Sequence, residues 1–281
     1  MSQVQFVAEV SSNHNQNLER CRAFIHAAAD CGCSAVKFQL FRLRELFAPE
    51  ILVQSERHRR REAWELPVSF LPELVKTCKE RSLAFACTPF YLEAVAQLEP
   101  YVDFYKIASY ELLWDSLLKA CAVTGKPVVL STGMATLAEV EHAVSVLRQN
   151  GCQDLTLLHC VSGYPAQPED CNLAVMDTLR QTCQIPVGWS DHTVNPGVVL
   201  SAAQRWGASM VEFHLDLDGQ GEEFAAGHCW LPADIAKVIQ WCRDSEKAQG
   251  SGQKNPAPSE LAEREWRADP SDGLRPLLHM R

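Results

Sequence analysis

Apolar and polar positions along the chain follow two alternating patterns. Continuous apolar runs of three to five residues recur, and each is followed by a longer segment in which apolar residues return every three or four positions. The short runs predict buried strands, and the longer segments predict amphipathic helices that cover them. The predicted strands are residues 6–8, 35–38, 84–86, 104–107, 128–130, 155–159, 186–189 and 209–212. The predicted helices are residues 18–29, 72–81, 91–98, 114–123, 137–149, 174–182, 197–206 and 233–242.

This order of eight strand–helix units predicts an α/β fold. The strands are continuous apolar runs rather than alternating ones, which is typical of parallel strands buried on both faces. Eight such units within 281 residues favour a closed (β/α)8 TIM barrel, a fold that needs roughly 250 residues. The alternative is an open doubly wound sheet, but no Gly-x-Gly-x-x-Gly or Walker pattern follows the first strand. We therefore predict one catalytic barrel over residues 1–248.

Two segments depart from the regular alternation. Residues 40–66 form a long insertion after the second strand, with a highly charged stretch at 56–62. This insertion is either a lid over the site or a solvated helical arm. Residues 249–281 begin with a segment rich in Gly, Ser and Pro, which predicts a linker and a tail with one short helix at 261–266. We expect no second domain in that remainder.

Composition and charge narrow the class of partner. The hydrophobic content of 47% and charged content of 22% are typical of a globular protein. The formal net charge of −9 argues against a nucleic acid or an anionic membrane as partner. An acidic protein that binds an anion must build a local positive pocket. No basic, apolar leader and no apolar window of about 20 residues is present, so we expect a cytoplasmic protein.

The 12 cysteines are scattered along the chain. The one close pair, Cys31 and Cys33, lacks the Cys-x-x-Cys spacing of zinc and redox motifs. We therefore interpret the cysteines as reduced, buried thiols of a cytosolic protein. Cys160 and Cys229 fall near the predicted site described next.

Polar residues gather at the ends of the predicted strands, where a (β/α)8 barrel has its active site. They are Glu9, Lys37, Thr88, Lys106, Ser109, Glu111, Ser131, Ser162, Tyr164, Ser190, His192 and His214. Two lysines with several hydroxyls suit a phosphate or a phosphate–carboxylate pair. Two histidines on the last two strands suit a transition metal with open coordination positions. Glu9 suits a base or a group that orients a water.

Some of these polar residues also have a purely structural interpretation. The two lysines could form ion pairs with Glu9 or Glu111, but both lysines follow apolar strand residues, which favours ligand binding over this interpretation. His14 and His159 lie in a short loop and a strand with many backbone partners. We therefore interpret these two histidines as structural.

Short motifs recur in a characteristic order from about residue 6 to residue 215. They are Ala8-Glu9-Val10, Asn13-His14-Asn15, Ala35-Val36-Lys37-Phe38-Gln39, Thr88-Pro89-Phe90, Tyr105-Lys106-Ile107-Ala108-Ser109, Gly125-Lys126-Pro127, Leu130-Ser131-Thr132-Gly133-Met134, Leu158-His159-Cys160, Tyr164-Pro165, Gly188-Trp189-Ser190-Asp191-His192-Thr193 and Glu212-Phe213-His214. In these motifs and their spacing the chain resembles the sialic acid synthases. That family joins phosphoenolpyruvate to an N-acylated hexosamine.

The resemblance implies a role for each matching residue. It places Lys37, Thr88, Lys106, Ser109, Ser131 and Ser190 on the phosphate and carboxylate of phosphoenolpyruvate. It implies that His192 and His214 bind a divalent metal, Mn²⁺ by family habit, with Mg²⁺ or Co²⁺ as other candidates. Glu9 then lies near a metal-bound water, and Glu111 and Tyr164 contact the acceptor sugar. In sum we assign catalysis to Glu9, Lys37, Lys106 and Glu111, substrate binding to Thr88, Ser109, Ser131, Ser162, Tyr164 and Ser190, and metal binding to His192 and His214.

Three features differ from the family pattern. Phe213 stands where the family usually has a basic residue, and residues 215–230 do not match its usual Gly-Pro-Asp stretch. The candidates for the sugar or metal role of that stretch are Asp216, Glu222, Glu223 and His228. Typical members also continue into an antifreeze-like domain that supplies an arginine to the N-acyl group across a homodimer. We expect this chain to correspond to the catalytic barrel without that domain, and a homodimer is implied by the family alone.

These observations predict a phosphoenolpyruvate-dependent condensing synthase. Its product is a sialic-acid-like nonulosonate or a related 3-deoxy-2-ulosonic acid, with release of phosphate. Its expected partners are two small molecules, phosphoenolpyruvate and a sugar, with no nucleic acid and no membrane. Two alternatives remain open. One is a metal-dependent pyruvate aldolase or lyase, and the other is a barrel that binds a ligand without catalysis.

Overall fold

Eight parallel strands close into a barrel in the computed structural model, which describes residues 3–281. The strands are β1 (Gln5–Glu9), β2 (Ala35–Leu40), β3 (Ala84–Pro89), β4 (Phe104–Ile107), β5 (Val128–Ser131), β6 (Leu155–Cys160), β7 (Val187–Asp191) and β8 (Met210–Leu215). Each strand pairs with the next, and β8 pairs with β1, so the barrel has no open edge. This closure confirms the predicted (β/α)8 TIM barrel.

Helices follow the strands and cover the barrel. They are α1 (Leu18–Cys31), α2 (Leu43–Leu46), α3 (Pro49–Gln54), α4 (Glu56–Arg59), α5 (Leu71–Glu80), α6 (Leu92–Leu98), α7 (Asp115–Val123), α8 (Leu137–Gln149), α9 (Val175–Cys183), α10 (Pro196–Leu200), α11 (Glu222–Ala225) and α12 (Pro232–Ala248). The eight predicted helices are all present. One is shorter than predicted, because α10 gives way to a π-helical turn at Ser201–Arg205.

The interior of the barrel has an apolar floor and a polar upper layer. Val7, Ala35, Val129, Leu158 and Met210 form a small buried cluster of their own. Side chains two residues apart in a strand face the same side, so the next inward positions on these strands are polar. They are Glu9, Lys37, Ser131, Cys160 and Glu212. The polar layer lies at the C-terminal ends of the strands, as the active site of such a barrel requires.

The strand residues that alternate with these inward-facing positions face the helices. In β8, Val211, Phe213 and Leu215 belong to the large core between barrel and helices. Phe213 is fully buried there, so the residue that differs from the family's basic residue does not line the barrel interior. In β7, Gly188 allows close strand packing, because a Cβ there would lie 2.7 Å from Leu158 Cδ2 and would also clash with the Met210 carbonyl.

A ninth strand, β9 (Cys229–Trp230), extends the sheet beyond the predicted barrel. It pairs in parallel with the end of β8, with Cys229 opposite His214. The pairing of β7 with β8 stops at Phe213, and β1 already occupies the other side of His214. Strand β9 therefore takes the side that β7 leaves. The strand was not predicted, because two apolar residues show no period.

The insertion after β2 is helical. It contains α2, α3, α4 and a 3-10 turn at Arg60–Trp64. Gln16, in the loop that follows β1, donates from Nε2 to the carbonyls of Glu62 and Glu65, each at 3.0 Å. The insertion is thereby attached to the end of the barrel that carries the polar layer.

Contacts divide the chain into two compact units, of which the first ends at Glu246 and the second is Lys247–Arg281. In the second unit the short helix predicted at 261–266 is shorter than expected and is not α-helical. That stretch holds only a 3-10 turn at Glu263–Trp266, because it is too short for the hydrogen bonds of a stable α-helix. Among the described residues, no helix is both long and apolar enough to cross a bilayer.

Candidate active site

Two buried lysines converge on one carboxylate inside the barrel. The Nζ atoms of Lys37 and Lys106 lie 3.7 and 3.4 Å from Oε1 of Glu212. Lys37 Nζ also lies 2.6 Å from Oε2 of Glu9. All four residues are almost fully buried, with Lys37, Lys106, Glu212 and Glu9 exposed to 3%, 2%, 4% and 0%. Lys37 thus forms one of the ion pairs considered above, whereas the partner of Lys106 is Glu212 rather than Glu111.

The two lysines differ in how well their charge is compensated. Burial lowers the pKa of Lys106, and the Glu212 carboxylate opposes that shift only in part. Burial alone would also lower the pKa of Lys37, but Glu212 and Glu9 together raise it. For Glu212 burial would raise the pKa, yet Lys106 and Lys37 hold it below its usual range. A bound anion would supply the negative charge that Lys106 lacks.

Hydroxyl groups surround this charge cluster. Lys37 Nζ donates to Thr88 Oγ1 at 3.3 Å, and Ser190 Oγ donates to Glu212 Oε1 at 3.3 Å. The hydroxyls of Ser131 and Ser162 are buried and have no hydrogen-bond partner within residues 3–281. Buried hydroxyls are nearly always paired, so these two are available to a bound polar molecule.

The loop after β5 brings backbone close to these hydroxyls at Gly133. Its N–H donates to Ser109 Oγ at 2.9 Å, and Ser109 Oγ lies 3.2 Å from Cys160 Sγ. A Cβ at position 133 would lie 2.9 Å from both of those atoms and would clash with Ser162 Oγ. A side chain at this position would force the ends of those three side chains to move, so the loop forms a tight cradle of one backbone amide, two hydroxyls and a thiol.

The two predicted metal ligands are neighbours. The ring centroids of His192 and His214 are 5.4 Å apart, and the Tyr164 ring lies 4.2 Å from that of His192. His192 Nδ1 is 2.7 Å from the Val161 carbonyl. A carbonyl only accepts, so Nδ1 carries the proton and Nε2 keeps its lone pair. Burial, then the nearby His214, lowers the pKa of His192 to about 3, which leaves a neutral imidazole suited to bind a metal.

His214 also belongs to a second group of potential ligands. Oε2 of Glu223 lies 2.8 Å from His214 Nδ1, 3.6 Å from His228 Nε2 and 3.7 Å from Cys229 Sγ. One ligand atom from each of these four residues lies within 4.8 Å of every other. Burial alone would lower the pKa of His214, but the Glu223 carboxylate raises it well above the usual value. The nitrogen, oxygen and sulfur donors fit a divalent transition metal.

Glu111 stands slightly apart from the charge cluster. It lies in the 3-10 turn Ser109–Glu111 after β4 and is 9% exposed. Its Oε2 has no hydrogen-bond partner among the residues described. Burial raises the pKa of Glu111 to about 7, although the Lys106 charge acts in the opposite direction. A carboxyl with this pKa exchanges its proton near neutrality, which a general acid requires.

Two residues of the site were missed by sequence reasoning although they lie in the motifs quoted above. Glu212 stands two positions before His214, and this spacing on a strand indicates that both face the same side. Gln39 stands two positions after Lys37, and its Nε2 donates to Glu9 Oε1 at 2.6 Å. Alternation along the predicted strands was the signal that could have found them.

Arg61 of the insertion packs on the rings of Phe47 and Trp64, with its guanidinium carbon 5.4 and 5.3 Å from the two ring centroids. Burial and the neighbouring Arg57 lower the pKa of Arg61, while Tyr110 and Glu223 act to raise it. The lid and the solvated helical arm both remain predictions for this insertion.

His14 and His159 make backbone contacts, as a structural role predicts. His159 Nε2 is 2.8 Å from the Cys171 carbonyl, and His14 Nδ1 accepts from the Gln16 N–H at 3.0 Å. Burial lowers the pKa of both rings.

Comparisons with known proteins point to one family. The profile of the NeuB family matches residues 24–254. The chain is 35% identical over 275 residues to the N,N'-diacetyllegionaminic acid synthase of Campylobacter jejuni, and the alignment covers 92% of this chain and 81% of that protein. It is 37% identical over 256 residues to an uncharacterized protein of Methanocaldococcus jannaschii, over 90% of this chain and 74% of that protein. A crystal structure of the N-acetylneuraminic acid (sialic acid) synthetase from Leptospira borgpetersenii, in complex with citrate, superposes with a TM-score of 0.83 at 31% identity, over 95% of this chain and 92% of that one.

Proposed function

This chain belongs to the NeuB family, and we propose that it is a synthase that joins phosphoenolpyruvate to an aldose. The product is a sialic-acid-like nonulosonate or a related 3-deoxy-2-ulosonic acid, and phosphate is released. The acceptor is an N-acyl hexosamine or a related sugar. Relatives named N,N'-diacetyllegionaminic acid synthase and N-acetylneuraminate-9-phosphate synthase support this choice of acceptor.

One observation carries the proposal: two buried ammonium groups converge inside the barrel of a chain whose net charge is −9. Lys37 and Lys106 share Glu212, and the hydroxyls of Ser131 and Ser162 are buried and unpaired. A compact ligand with a phosphate and a carboxylate satisfies these donors at once. Pyruvate lacks the phosphate and would leave part of the set unpaired.

The reaction balances as a carbon–carbon condensation followed by hydrolysis. C3 of phosphoenolpyruvate bonds to the aldehyde carbon of the open-chain sugar, and the aldehyde oxygen takes a proton. Water adds its oxygen to C2 and loses a proton. The bond between C2 and the phosphate oxygen then breaks, the C2 hydroxyl gives its proton to the departing phosphate, and C2 becomes a ketone.

The residues divide this chemistry among them. Lys37 and Lys106 hold the phosphate and stabilise its charge as it departs. Glu111, with its pKa of about 7, is the acid that protonates the aldehyde oxygen. Glu9, fixed by Lys37 and Gln39, is the carboxylate that receives the proton of the added water.

A divalent metal is part of the proposal. His192 and His214 would hold it, and the ligand group around Glu223 fits such an ion. When bound, the metal supplies Lewis-acid polarisation of the sugar aldehyde. The Tyr164 ring, which lies against His192, orients the sugar beside these ligands.

Phosphate release tests the function directly. The full chain, loaded with a divalent metal, is incubated with phosphoenolpyruvate and a panel of aldoses with and without N-acyl groups. We expect release that depends on the sugar. No release with any sugar, or consumption of pyruvate and sugar without phosphate chemistry, would refute the proposal.

A matched pair of lysine variants strengthens the test. Lys106→Met removes one of the two converging ammonium groups and is expected to lower kcat/KM by about 10²–10³-fold. Lys119→Met removes an exposed lysine of α7 and is expected to change kcat/KM less than twofold. Equal effects of the two variants would show that Lys106 has no role in binding phosphoenolpyruvate.

A further inference from the structure

We propose that the segment after β8 supplies three additional metal ligands, Glu223, His228 and Cys229. With His214 they form a mixed nitrogen, oxygen and sulfur site that selects a borderline ion such as Zn²⁺ over Mn²⁺ or Mg²⁺. The inference deepens the proposed function and rests on it only in placing the ion beside the sugar. Ligation itself can be measured without turnover.

The spacing of the donor atoms supports a single ion. Oε2 of Glu223 lies 2.8, 3.6 and 3.7 Å from donor atoms of His214, His228 and Cys229. Atoms bound at about 2.0–2.3 Å from one ion lie roughly 3–4.6 Å apart. The largest separation in the group is within 4.8 Å, so small side-chain shifts bring all four atoms into range.

The backbone holds Cys229 in place. Strand β9 sets Cys229 opposite His214 in the ladder, and Asp216 N donates to the Trp230 carbonyl at 2.9 Å. Trp230 Nε1 in turn donates to the buried Asp191 at 2.9 Å. A thiol on a paired strand is held more firmly than one on a free loop, and firm placement is typical of a ligand.

Outer contacts orient the other ligands. The hydroxyls of Ser11 and Ser12 both donate to Oε1 of Glu223, which directs Oε2 toward the group. Asn13 Nδ2 donates to the Leu215 carbonyl at 3.0 Å and lies 3.6 Å from Cys229 Sγ. Metal ligands in proteins are commonly fixed by such contacts.

One atom of the group lacks a partner. His228 is 7% exposed, and its Nδ1 has no hydrogen-bond partner anywhere in residues 3–281. A buried ring nitrogen without a partner is unusual in a purely structural network. The other nitrogen of the ring, Nε2, lies 3.6 Å from Glu223 Oε2 and is the atom that would bind the metal.

The ligand types favour a borderline ion. Thiolate and imidazole suit zinc, whereas Mg²⁺ and Mn²⁺ prefer carboxylate, carbonyl and water oxygens. Most nitrogen and oxygen sites already bind Zn²⁺ more tightly than Mn²⁺, so higher zinc affinity alone does not test the inference. Sulfur ligation does test the inference, because a site made of His192 and His214 alone has no sulfur ligand.

Cobalt spectroscopy of the metal-free full chain is the primary experiment. With one equivalent of Co²⁺ we expect a sulfur-to-cobalt charge-transfer band in the near ultraviolet. Cys229→Ser should remove that band and leave Co²⁺ bound. The control Cys183→Ser, at a half-buried cysteine of α9, should keep the band. Bound Co²⁺ without the band in the unmodified chain would overturn the inference.

Competition with a chelating dye measures the selectivity. In Cys229→Ser and in His228→Gln we expect the ratio of Zn²⁺ to Mn²⁺ affinity to fall at least 10-fold. Circular dichroism checks that each variant folds, and a folded variant with an unchanged ratio would refute its residue as a ligand. If the protein releases phosphate with Mn²⁺ but shows no sulfur-to-cobalt band, the inference about the ligands fails and the proposed function stands. If the band is present but no phosphate is released, the proposed function fails and the inference about the ligands stands.

Discussion

Replacing Gly133 with alanine tests the cradle at the end of β5. The added Cβ would lie 2.9 Å from Ser109 Oγ and Cys160 Sγ and would clash with Ser162 Oγ. Ordinary contacts of a Cβ begin at about 3.4 Å, so the neighbours must move by about half an ångström or more. The N–H of residue 133 would then lose its 2.9 Å hydrogen bond to Ser109.

The size of the effect follows from overpacking. Forcing one extra methyl group into a tight site costs about 1–3 kcal/mol. Here the displaced groups include Ser109, which we assign to phosphoenolpyruvate, and Ser162, which we assign to substrate binding, so we expect the cost to appear as weaker binding. It corresponds to a rise of about 5- to 150-fold in the Kd for phosphoenolpyruvate.

The assay is calorimetric titration with phosphoenolpyruvate, together with KM from phosphate release. Gly163→Ala is the matched control, since a Cβ there meets its nearest atoms at 3.5 Å and requires no movement. Thermal unfolding of both variants separates weaker binding from loss of fold.

A double variant makes the reasoning falsifiable. Ser162→Ala removes the hydroxyl that clashes most closely, so Gly133→Ala combined with Ser162→Ala should bind better than Gly133→Ala alone. Such coupling is expected between residues in contact. A Kd for Gly133→Ala within twofold of the unmodified protein would show that the cradle does not hold the substrate.

Three further predictions concern other parts of the fold. The raised pKa of Glu111, about 7 against an ordinary 4.5, favours its protonated form in the folded state. This contribution to stability is complete below about pH 4.5 and is lost as the pH rises through 7. The Glu111→Gln variant should therefore be more stable to unfolding than the unmodified protein at pH 8, by at most about 3 kcal/mol. In the pH profile of kcat/KM the variant should lose the change in rate near pH 7 that titration of Glu111 causes. A pH profile unchanged by the variant would contradict the assignment of Glu111 as the general acid. Asp191→Ala leaves the indole N–H groups of Trp189 and Trp230 without their acceptor and should lower the free energy of unfolding in urea by about 3 kcal/mol, and a loss below 1 kcal/mol would be contrary to this. If the insertion is a lid over the sugar, Arg61→Gln should raise KM for the sugar while leaving the Kd for phosphoenolpyruvate unchanged; steady-state kinetics with each substrate varied separates the two, and an unchanged KM would favour the solvated arm.

The barrel could be predicted because its strands are buried on both faces. Such strands appear as continuous apolar runs, which the sequence shows eight times. The strand ends could not be predicted as well. Strand β8 was expected to stop at 212 but continues to Leu215, because a polar side chain facing a hydrated barrel mouth does not interrupt the backbone ladder.

The types of residue in the site could be predicted from the sequence, but which charged residues form ion pairs with each other could not. Lys37, Lys106, His192 and His214 follow apolar runs, which marks them as the polar ends of strands. The sharing of Glu212 by both lysines depends on register between distant strands. A single sequence does not contain that information.

The ligand group around Glu223 was the hardest part to predict. Glu223 and His228 were among four candidates, and nothing in the sequence separated them from Asp216 or Glu222. Their placement depends on β9, a strand two residues long whose pairing partner is decided by where β7 ends. Short strands of this kind follow from tertiary structure and not from local pattern.

Strand β8 carries both halves of the chemistry, with Glu212 beside the lysines and His214 two residues later among the metal ligands. A strand rises about 3.3 Å per residue, so rigid backbone sets the spacing between the lysine cluster and the metal ligands along β8 at about 7 Å. Acceptor preference can then diverge through substitutions in the connecting loops while the reacting carbons keep their alignment. Engineering of new sugar specificity should accordingly begin with the insertion and the 216–228 segment, and leave β8 untouched.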